Sequence, residues 1–270
     1  YADLHLHTRY SDGTYTPEEL AERGRERGIK VMALTDHDTI DGCKQMAIAC
    51  DDRNIEFISG CEFTVELEGF ELHLLGYFLD LECAGLIEQL EKYQAVRQNR
   101  IHEMVFKLNE LGFKITSDDV LNIANCNSPG RPHIGRVMVA KGYCRSLDES
   151  FQKYLKKGKP AWVPKSKMTA SQAIELIHEA GGLSVIAHPG LYHRDEVISS
   201  LAAAGMDGIE CFYTRHSTPM TEHYLMLAEQ HGLLVTGGSD CHGDNKGRPL
   251  IGGIKLPYSY VEKMKLALST

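Results

Sequence analysis

Near its start the chain reads Asp3-Leu4-His5-Leu6-His7, a segment in which histidines alternate with leucines. Because successive side chains of a β-strand point to opposite faces, His5 and His7 share one face of the predicted strand. Two imidazoles at a strand end can chelate one divalent ion, but such histidines are more often ordinary core or surface residues. The segment therefore predicts a strand, and its function depends on what the rest of the chain supplies.

Further apolar stretches look like buried strands, and helical patterns separate many of them. They cover residues 31–35, 55–61, 71–78, 183–187, 208–211 and 233–237, after the first strand at residues 2–6. Thr16-Pro17-Glu18-Glu19 predicts a helix start, because a capping threonine precedes a proline and two acidic residues. Thr169 begins a second helix of this kind. Alternation of strands and helices is typical of a largely parallel sheet or barrel, so we predict an α/β fold.

One long stretch breaks this alternation. Between residues 82 and 165 helical periodicity covers 88–111, 117–124, 134–141 and 147–155, without a convincing strand. We predict a catalytic domain formed by residues 1–81 and 166–270, and a helical insertion, residues 82–165, that acts as a substrate-recognition cap. A length of 270 residues suits one α/β barrel with such an insertion.

The composition restricts the class of protein. The formal net charge of -8 makes the chain a poor general binder of nucleic acid, so a phosphorylated substrate would need a locally positive site. Eight cysteines without a C-x-x-C pair indicate reduced thiols, which favours a cytoplasmic location. No apolar run is long enough to span a bilayer, so we expect no membrane association.

The ends of the predicted strands repeatedly carry histidine or carboxylate residues. In parallel α/β folds the loops after the strands build the active site, so these residues are expected to meet. Six are imidazoles and three are carboxylates, too many ligands for one ion but suited to two or three. The candidate ligands are His5, His7, Asp12, His37, Glu62, His73, His188, Asp240 and His242.

The charge of this cluster also favours phosphate. Three divalent ions and three carboxylates would leave a local charge of about +3, which would attract a phosphate dianion. Not every nearby acid need be a ligand. We expect Asp3, and either Asp36 or Asp38, to orient a neighbouring histidine from behind.

These motifs resemble those of the PHP (polymerase and histidinol phosphatase) family. The matching segments are Asp3-Leu4-His5-Leu6-His7-Thr8 with Ser11-Asp12-Gly13, Thr35-Asp36-His37-Asp38, Ala187-His188-Pro189 and Gly238-Ser239-Asp240-Cys241-His242. The resemblance implies a distorted, TIM-like (β/α)7 barrel with three divalent ions, Mn²⁺ first and Fe²⁺ or Zn²⁺ as alternatives. It assigns His5, His7, Glu62 and Asp240 to one ion, Asp12, His37 and His242 to a second, and Glu62, His73 and His188 to a third.

Within the family the chain is most similar to free-standing phosphatases that act on nucleoside 3',5'-bisphosphates and carry a helical insertion. Supporting segments are Arg97-Gln98-Asn99-Arg100, Gly130-Arg131-Pro132-His133, Lys157-Gly158-Lys159-Pro160, Gly208-Ile209-Glu210 and Arg215-His216-Ser217. Some relatives of this type also trim short RNA from its 5' end. The resemblance therefore implies a phosphorylated partner, a nucleotide or a short RNA.

A second anion site is also predicted from the residues themselves. Arg97 and Arg100 are three positions apart and share a helix face. Arg131 lies in a Pro-Gly-Arg-Pro turn, where its guanidinium could grip a phosphate bidentately. The alternative is that these arginines simply face solvent. His133 and His216 either contact phosphate or lie at the surface, and Lys165 is a further candidate phosphate contact.

We expect a metal-dependent phosphomonoesterase that removes the 3'-phosphate of such nucleotides by attack of a metal-bridging hydroxide. The catalytic residues would be Asp12, His37, Arg131 and His216, with His216 or a metal-bound water protonating the leaving oxygen. The substrate contacts would be Arg97, Arg100, Arg131, His133, Lys165 and His216.

Three other functions stay open. A histidinol-phosphate phosphatase would need acidic groups in the insertion. A 5'-to-3' exonuclease on short RNA would need stacking platforms, for which Tyr93, Phe106 and Phe113 are candidates. A non-enzymatic module that supports a polymerase or binds phosphate would retain the fold without turnover.

Overall fold

A curled sheet forms the centre of the computed structural model, which describes residues 1–246 and 249–269. The order β1-β2-β3-β4-β6-β7-β8 runs around a nearly closed barrel, and β5 pairs with β3. The strands are β1 (Ala2–Asp3), β2 (Val31–Leu34), β3 (Glu56–Leu67), β4 (Phe70–Tyr77), β5 (Met168–Thr169), β6 (Leu183–Ile186), β7 (Gly208–Tyr213) and β8 (Leu234–Gly238). The predicted α/β barrel is confirmed.

The barrel closes where β1 approaches β8. The amide of Leu4 donates to the Gly237 carbonyl at 3.1 Å, and the amide of Asp240 donates to the His5 carbonyl at 2.9 Å. A Cβ atom on Gly238 would lie 2.3 Å from the His5 nitrogen, so only glycine permits this close approach. The closure places the candidate ligands that follow β1 beside those that follow β8.

Two strand pairs depart from the parallel pattern. β3 pairs antiparallel with β4, and β4 pairs antiparallel with β6. The β3–β4 connection is a two-residue turn in which Glu68 and Gly69 have φ values of 51° and 77°, as a tight hairpin requires. β3 also continues well beyond the predicted end at residue 61, so Glu62 lies inside a strand and not after it.

Helices cover the barrel and form the separate stretch between β4 and β5. They are α1 (Pro17–Glu26), α2 (Cys43–Asp51), α3 (Ala84–Glu110), α4 (Ser117–Ala124), α5 (Arg131–Ala140), α6 (Leu147–Ser150), α7 (Ala170–Glu179), α8 (Glu196–Ala203), α9 (Thr218–His231) and α10 (Tyr258–Ala267). Thr16 and Thr169 cap α1 and α7 in capping boxes, as predicted. None of the described helices has the length and apolar character needed to cross a bilayer.

Residues 82–165, called here the helical segment, contain α3 to α6 and a single π-helical turn at Phe151–Leu155. No strand lies among these residues, all of which are described. Most of their buried apolar side chains, including Met104, Leu108 and Ile134, form a cluster separate from those of the barrel, whereas Leu86 and Leu90 pack with a barrel cluster. Each such side chain contributes about 1.5–3 kcal/mol on burial, so the segment has a core of its own. We therefore propose that residues 82–165 form an insertion into the barrel.

Candidate active site

The nine predicted ligands come together at one end of the barrel. His5, His7 and Asp12 follow β1, His37 follows β2, and Glu62 and His73 lie on β3 and β4. The remaining ligands follow β6 and β8: His188, Asp240 and His242. All are buried or half-buried. Residues from most of the chain's length therefore meet in a single cluster.

Glu62 lies at the centre of this cluster, between five histidine rings. Its Oε2 atom lies 3.1 Å from one ring nitrogen each of His7 and His37 and 3.3 Å from the Nε2 of His5. Its Oε1 atom lies 2.6 Å from the Nδ1 of His73 and 3.1 Å from the Nε2 of His188. The two oxygens thus face different sets of rings, as in a carboxylate that bridges ions.

The other two carboxylates lie on either side of His242. Asp240 Oδ1 is 3.2 Å from the Nδ1 of His242 and 3.4 Å from the Nε2 of His7. Asp12 Oδ1 is 3.2 Å from the Nε2 of His242 and 3.9 Å from the Nε2 of His37. Each carboxylate can therefore share an ion with neighbouring imidazoles.

The chemistry of the donors fits divalent cations. The Nε2 atoms of His5 and His7, and the Nδ1 atoms of His7, His37 and His188, are buried without a hydrogen bond of acceptable geometry. Buried polar atoms without partners are rare in proteins. Imidazole nitrogens and carboxylate oxygens directed at a common space are the donor set of Mn²⁺, Fe²⁺ or Zn²⁺.

The ligand atoms form three groups, and within each group they lie within 4.8 Å of one another. The groups are His5, His7 and Asp240; then His7, Asp12, His37 and His242; then His37, Glu62 and His73. The second contains the set that the resemblance implies, and the first contains that set without Glu62. The third includes His37 in place of His188. The number and identity of the ions stay predictions.

The electrostatics of the cluster favour added positive charge. Burial disfavours the charged form of His7, but the carboxylates of Asp240 and Glu62 outweigh it and raise the pKa of His7 to about 9. Burial likewise opposes ionisation of Glu62, yet the surrounding histidines hold its pKa well below the usual range. Protons therefore compete with cations for this site, as is general for metal ligands.

Two residues behind the ligands were not among the sequence-predicted site residues. Glu210 accepts a hydrogen bond from the Nδ1 of His5 at 2.9 Å and another from the His188 amide at 2.7 Å. The Tyr213 hydroxyl donates to the Oδ2 of Asp240 at 2.9 Å. Such partners fix the orientation of metal ligands. The signal that could have found Glu210 is a carboxylate inside an apolar strand.

The acids expected to orient histidines do something else. Asp36 accepts from the amide and hydroxyl of Thr8, at 2.8 and 2.6 Å, and so fixes the loop after β1. Asp3 accepts from the amide of Ser239 at 2.8 Å and fixes the loop after β8. Asp38 pairs with cations of the helical segment. The prediction that Asp3 and either Asp36 or Asp38 orient a histidine is therefore wrong. Glu210 orients the ring of His5 instead.

A cavity of about 300 Å³ adjoins the ligand cluster, and both the barrel and the helical segment line it. Four predicted substrate contacts, Arg97, Arg100, Arg131 and Lys165, belong to its wall. The wall also includes residues that the sequence analysis did not predict as site residues: Glu71, Phe151, Tyr213 and Arg215.

The cationic side of the cavity contains side chains with unused donors. Arg131 makes no ion pair within 4.0 Å with any residue in the described ranges, and its guanidinium carbon lies 5.7 Å from the centre of the Phe151 ring. Arg100 donates its Nε hydrogen to the Val163 carbonyl at 2.8 Å. Burial lowers the pKa of Arg100 to about 10, and neighbouring arginines add to this effect. Such a wall is suited to an anionic group.

Two predicted contacts have structural partners instead. The Nδ1 of His133 accepts from the Gly130 amide at 3.0 Å and thereby caps α5, and burial lowers the pKa of His133 to about 4. His216 donates from Nδ1 to the Cys211 carbonyl at 2.9 Å, and its Nε2 accepts from the Gly190 amide at 3.2 Å. Neither belongs to the described cavity wall. Because both ring nitrogens of His216 are occupied, it is a poor proton donor to a leaving group.

Comparison with known proteins agrees with this geometry. A family model described as the PHP domain matches residues 3–118. The chain is 33% identical over 253 residues to a 3',5'-nucleoside bisphosphate phosphatase from Chromobacterium violaceum, covering 91% of this chain and 88% of that protein. It is 34% identical over 248 residues to a 5'-3' exoribonuclease from Haemophilus influenzae, covering 89% of each.

A solved structure from Bifidobacterium adolescentis, assigned to the metal-dependent phosphoesterases, superimposes with a TM-score of 0.92 at 31% identity. The match covers 98% of this chain and 95% of the other. Both the sequence and the fold are therefore shared over nearly the whole length. The chain belongs to the PHP family of metal-dependent phosphoesterases.

Proposed function

We propose that this protein releases the 3'-phosphate of nucleoside 3',5'-bisphosphates. One observation carries the proposal: a single cavity joins the nine-residue ligand cluster to a cationic wall that includes Arg100, Arg131 and Lys165. The ligand cluster suits the phosphate that is cleaved. The cationic wall suits a second phosphate on the same molecule, because guanidinium groups bind phosphate bidentately.

The size of the cavity supports a small substrate. About 300 Å³ is at the lower end of the range for small-molecule sites and suits one nucleotide. The described wall does not include the candidate stacking residues Tyr93, Phe106 and Phe113. Tyr93 and Phe113 pack against buried clusters, and Phe106 is exposed to solvent. The stacking platforms considered for RNA are thus not available in this cavity.

Trimming of short RNA from the 5' end is the second candidate. It is favoured by Phe151, an aromatic ring in the cavity wall beside Arg131 on which a base can stack. Histidinol phosphate is less favoured, because its cationic amine would meet a wall rich in arginine, in which the acid Glu71 already attracts Arg131 and Arg100.

The chain's own residues bind and orient in this mechanism. Divalent ions, when bound, would polarise the phosphoryl oxygens and lower the pKa of a water molecule. Glu210 holds the ring of His5, and Tyr213 holds the carboxylate of Asp240, so the ligands keep their geometry. Arg131 and Arg100 would hold the remote phosphate and so orient the reacting one, which is a large source of rate enhancement.

The resident ions and the location are part of the proposal. We propose three divalent ions, because the donors form three groups. Mixed nitrogen and oxygen ligands accept Mn²⁺, Fe²⁺ or Zn²⁺, and the preference for Mn²⁺ rests on the resemblance to the PHP family. All eight cysteines are free thiols, which supports a cytoplasmic location.

The test is phosphate release by the Mn²⁺-loaded protein. The substrates are adenosine 3',5'-bisphosphate, AMP, histidinol phosphate and a 5'-phosphorylated dinucleotide, and we expect the bisphosphate to have the highest kcat/KM. Chelation should abolish the activity and added Mn²⁺ should restore it. Full activity in chelator would contradict metal dependence, and a preference for the dinucleotide would favour the second candidate.

A matched pair of variants tests the cationic wall. Arg131→Met should lower kcat/KM for the bisphosphate by about 10- to 100-fold, the cost of losing charge-assisted hydrogen bonds. Arg145→Met is the control, because Arg145 is an exposed arginine of the same helical segment. Equal effects of the two substitutions would refute a phosphate contact by Arg131.

A further inference from the structure

Asp38 lies directly after the predicted ligand His37, at the end of β2. Its φ of 50° is in the left-handed region, which is costly for a residue with a side chain. Its carboxylate is buried, and Oδ1 accepts a hydrogen bond from the Thr64 amide at 2.8 Å. Strain of this kind persists only where surrounding contacts impose it, so the position of this carboxylate is tightly determined.

The second oxygen of Asp38 holds two cations from the helical segment. Its Oδ2 lies 2.7 Å from the Nη2 and 2.8 Å from the Nε of Arg97, and 3.1 Å from the Nζ of Lys165. Arg97 belongs to α3, and Lys165 is the last residue of the segment. One carboxylate oxygen of the barrel thus holds the middle of α3 and the last residue of the helical segment beside a predicted metal ligand.

The two cations differ in what they have left to donate. Arg97 also donates to the Thr64 hydroxyl at 3.3 Å and to the Pro129 carbonyl at 3.5 Å, so most of its N–H groups are occupied. Lys165 has one described partner, Asp38, and therefore keeps two N–H groups for a ligand. Both cations line the cavity, whereas Asp38 lies behind them.

Stability does not account for this arrangement. A buried ion pair contributes little net free energy compared with apolar side chains of the same volume. One carboxylate against two cations also leaves a net charge of about +1 in a buried place. Such an excess is costly by itself, but it suits a site that receives an anion.

We propose that Asp38 is a positioning residue that sets the separation between the two phosphates accepted by the cavity. It does so by holding Lys165, and through Arg97 the helix α3, at a fixed place relative to the metal ligands. This inference rests on the proposed function, because it assumes that the cationic wall binds the remote phosphate. In this division Arg97 fixes the helix, and Lys165 contacts the phosphate.

The first test is the binding of adenosine 5'-monophosphate, measured by calorimetry with the Mn²⁺-loaded protein. Asp38→Asn should weaken binding by about 10- to 100-fold, because the charge-assisted contacts that hold Lys165 are lost. Asp41→Asn is the control, since Asp41 is an exposed acid of the same loop whose contact is Asn127. Unchanged binding by Asp38→Asn, or tighter binding as expected from merely removing a negative charge, overturns the proposal.

The second test separates positioning from general damage. In Asp38→Asn the KM for adenosine 3',5'-bisphosphate should rise by the same factor as the Kd, with a smaller change in kcat. The kcat/KM for p-nitrophenyl phosphate, which has no second phosphate, should fall less. In a Lys165→Met background, Asp38→Asn should add little further loss of affinity, because both substitutions remove one contact. Equal losses on both substrates, or additive losses in the double variant, overturn the proposal.

If Asp38→Asn does not fold, Lys165→Met tests the same idea, because it leaves the Asp38–Arg97 pair intact. We expect weaker AMP binding with an unchanged Tm, and unchanged AMP binding overturns the proposal. If the wild type binds AMP but does not hydrolyse the bisphosphate, the proposed function fails and the positioning role of Asp38 is not affected. A wild type that does not bind AMP also overturns the positioning role.

Discussion

The barrel and the helical segment contribute to one cavity in different ways. The barrel supplies buried candidate ligands that converge on shared oxygens, above all those of Glu62, and further residues such as Glu210 hold those side chains in place. The segment supplies cations with unused donors, such as Arg131, from helices packed around a separate core. On the proposed function, the reaction would depend on the residues of the barrel, whereas selection among phosphorylated substrates would depend on the segment.

The largest effect is expected from a substitution in the ligand cluster of the barrel. Glu62→Gln keeps the volume of the side chain but removes the charge between five histidines, so we expect loss of bound metal. Activity should fall by more than the roughly 10- to 100-fold typical of losing a residue behind the ligands. Metal analysis and kcat measure this. Glu66→Gln, on the partly exposed outer part of β3, is the control. A metal-replete, active Glu62→Gln protein would contradict the central role of this carboxylate.

A smaller effect is expected from a substitution of Glu210, which lies behind the predicted ligands. Glu210→Gln loses a charged acceptor for the Nδ1 of His5 and for the His188 amide, so metal affinity should fall by about 10- to 100-fold. Excess Mn²⁺ should restore most of the kcat. Titration of the metal-free protein with Mn²⁺ measures the affinity, with the exposed Glu222→Gln as the reference. Wild-type affinity in Glu210→Gln would mean that this carboxylate does not act through the ligands.

The smallest effect concerns the helical segment and depends on pH. Burial, with repulsion from Arg97, lowers the pKa of Lys165 to about 8 although Asp38 opposes the shift. The ammonium is charged below this pH and neutral above it, whereas the substrate phosphate stays a dianion. AMP affinity should therefore fall by about three- to tenfold between about pH 7 and pH 9. Binding isotherms across this range measure the step. Lys165→Met should lack it, and an identical step in that variant would exclude Lys165 as its origin.

Sequence patterns predicted the elements whose signals are local. Thr16 and Thr169 mark helix starts by side-chain capping, which involves residues three positions apart, and the structure contains both caps. The ligand cluster could be anticipated because strand ends meet at one end of a barrel whatever the loops do. The long helix α3 follows from its periodicity alone.

What could not be predicted depends on contacts between distant backbone segments. The Nε2 of His216 is satisfied by the amide of Gly190, which is 26 residues away, and its direction follows from loop conformation that no spacing encodes. His133 differs, because its partner Gly130 is only three residues away in the cap of α5. The antiparallel β3–β4 pair did have a signal, because two residues with a glycine separate two apolar runs, but Glu68-Gly69 is a weak version of it.

The β3–β4 hairpin has a consequence for the order in which the ligand cluster assembles during folding. Glu62 and His73 are only 11 residues apart, and a hairpin closes on the microsecond timescale. His5 and Glu210 are 205 residues apart, so that contact must wait until the barrel closes. In the newly made chain two of the predicted ligands thus come together before the barrel closes, and an ion captured at that stage would favour the contacts that the remaining predicted ligands make later.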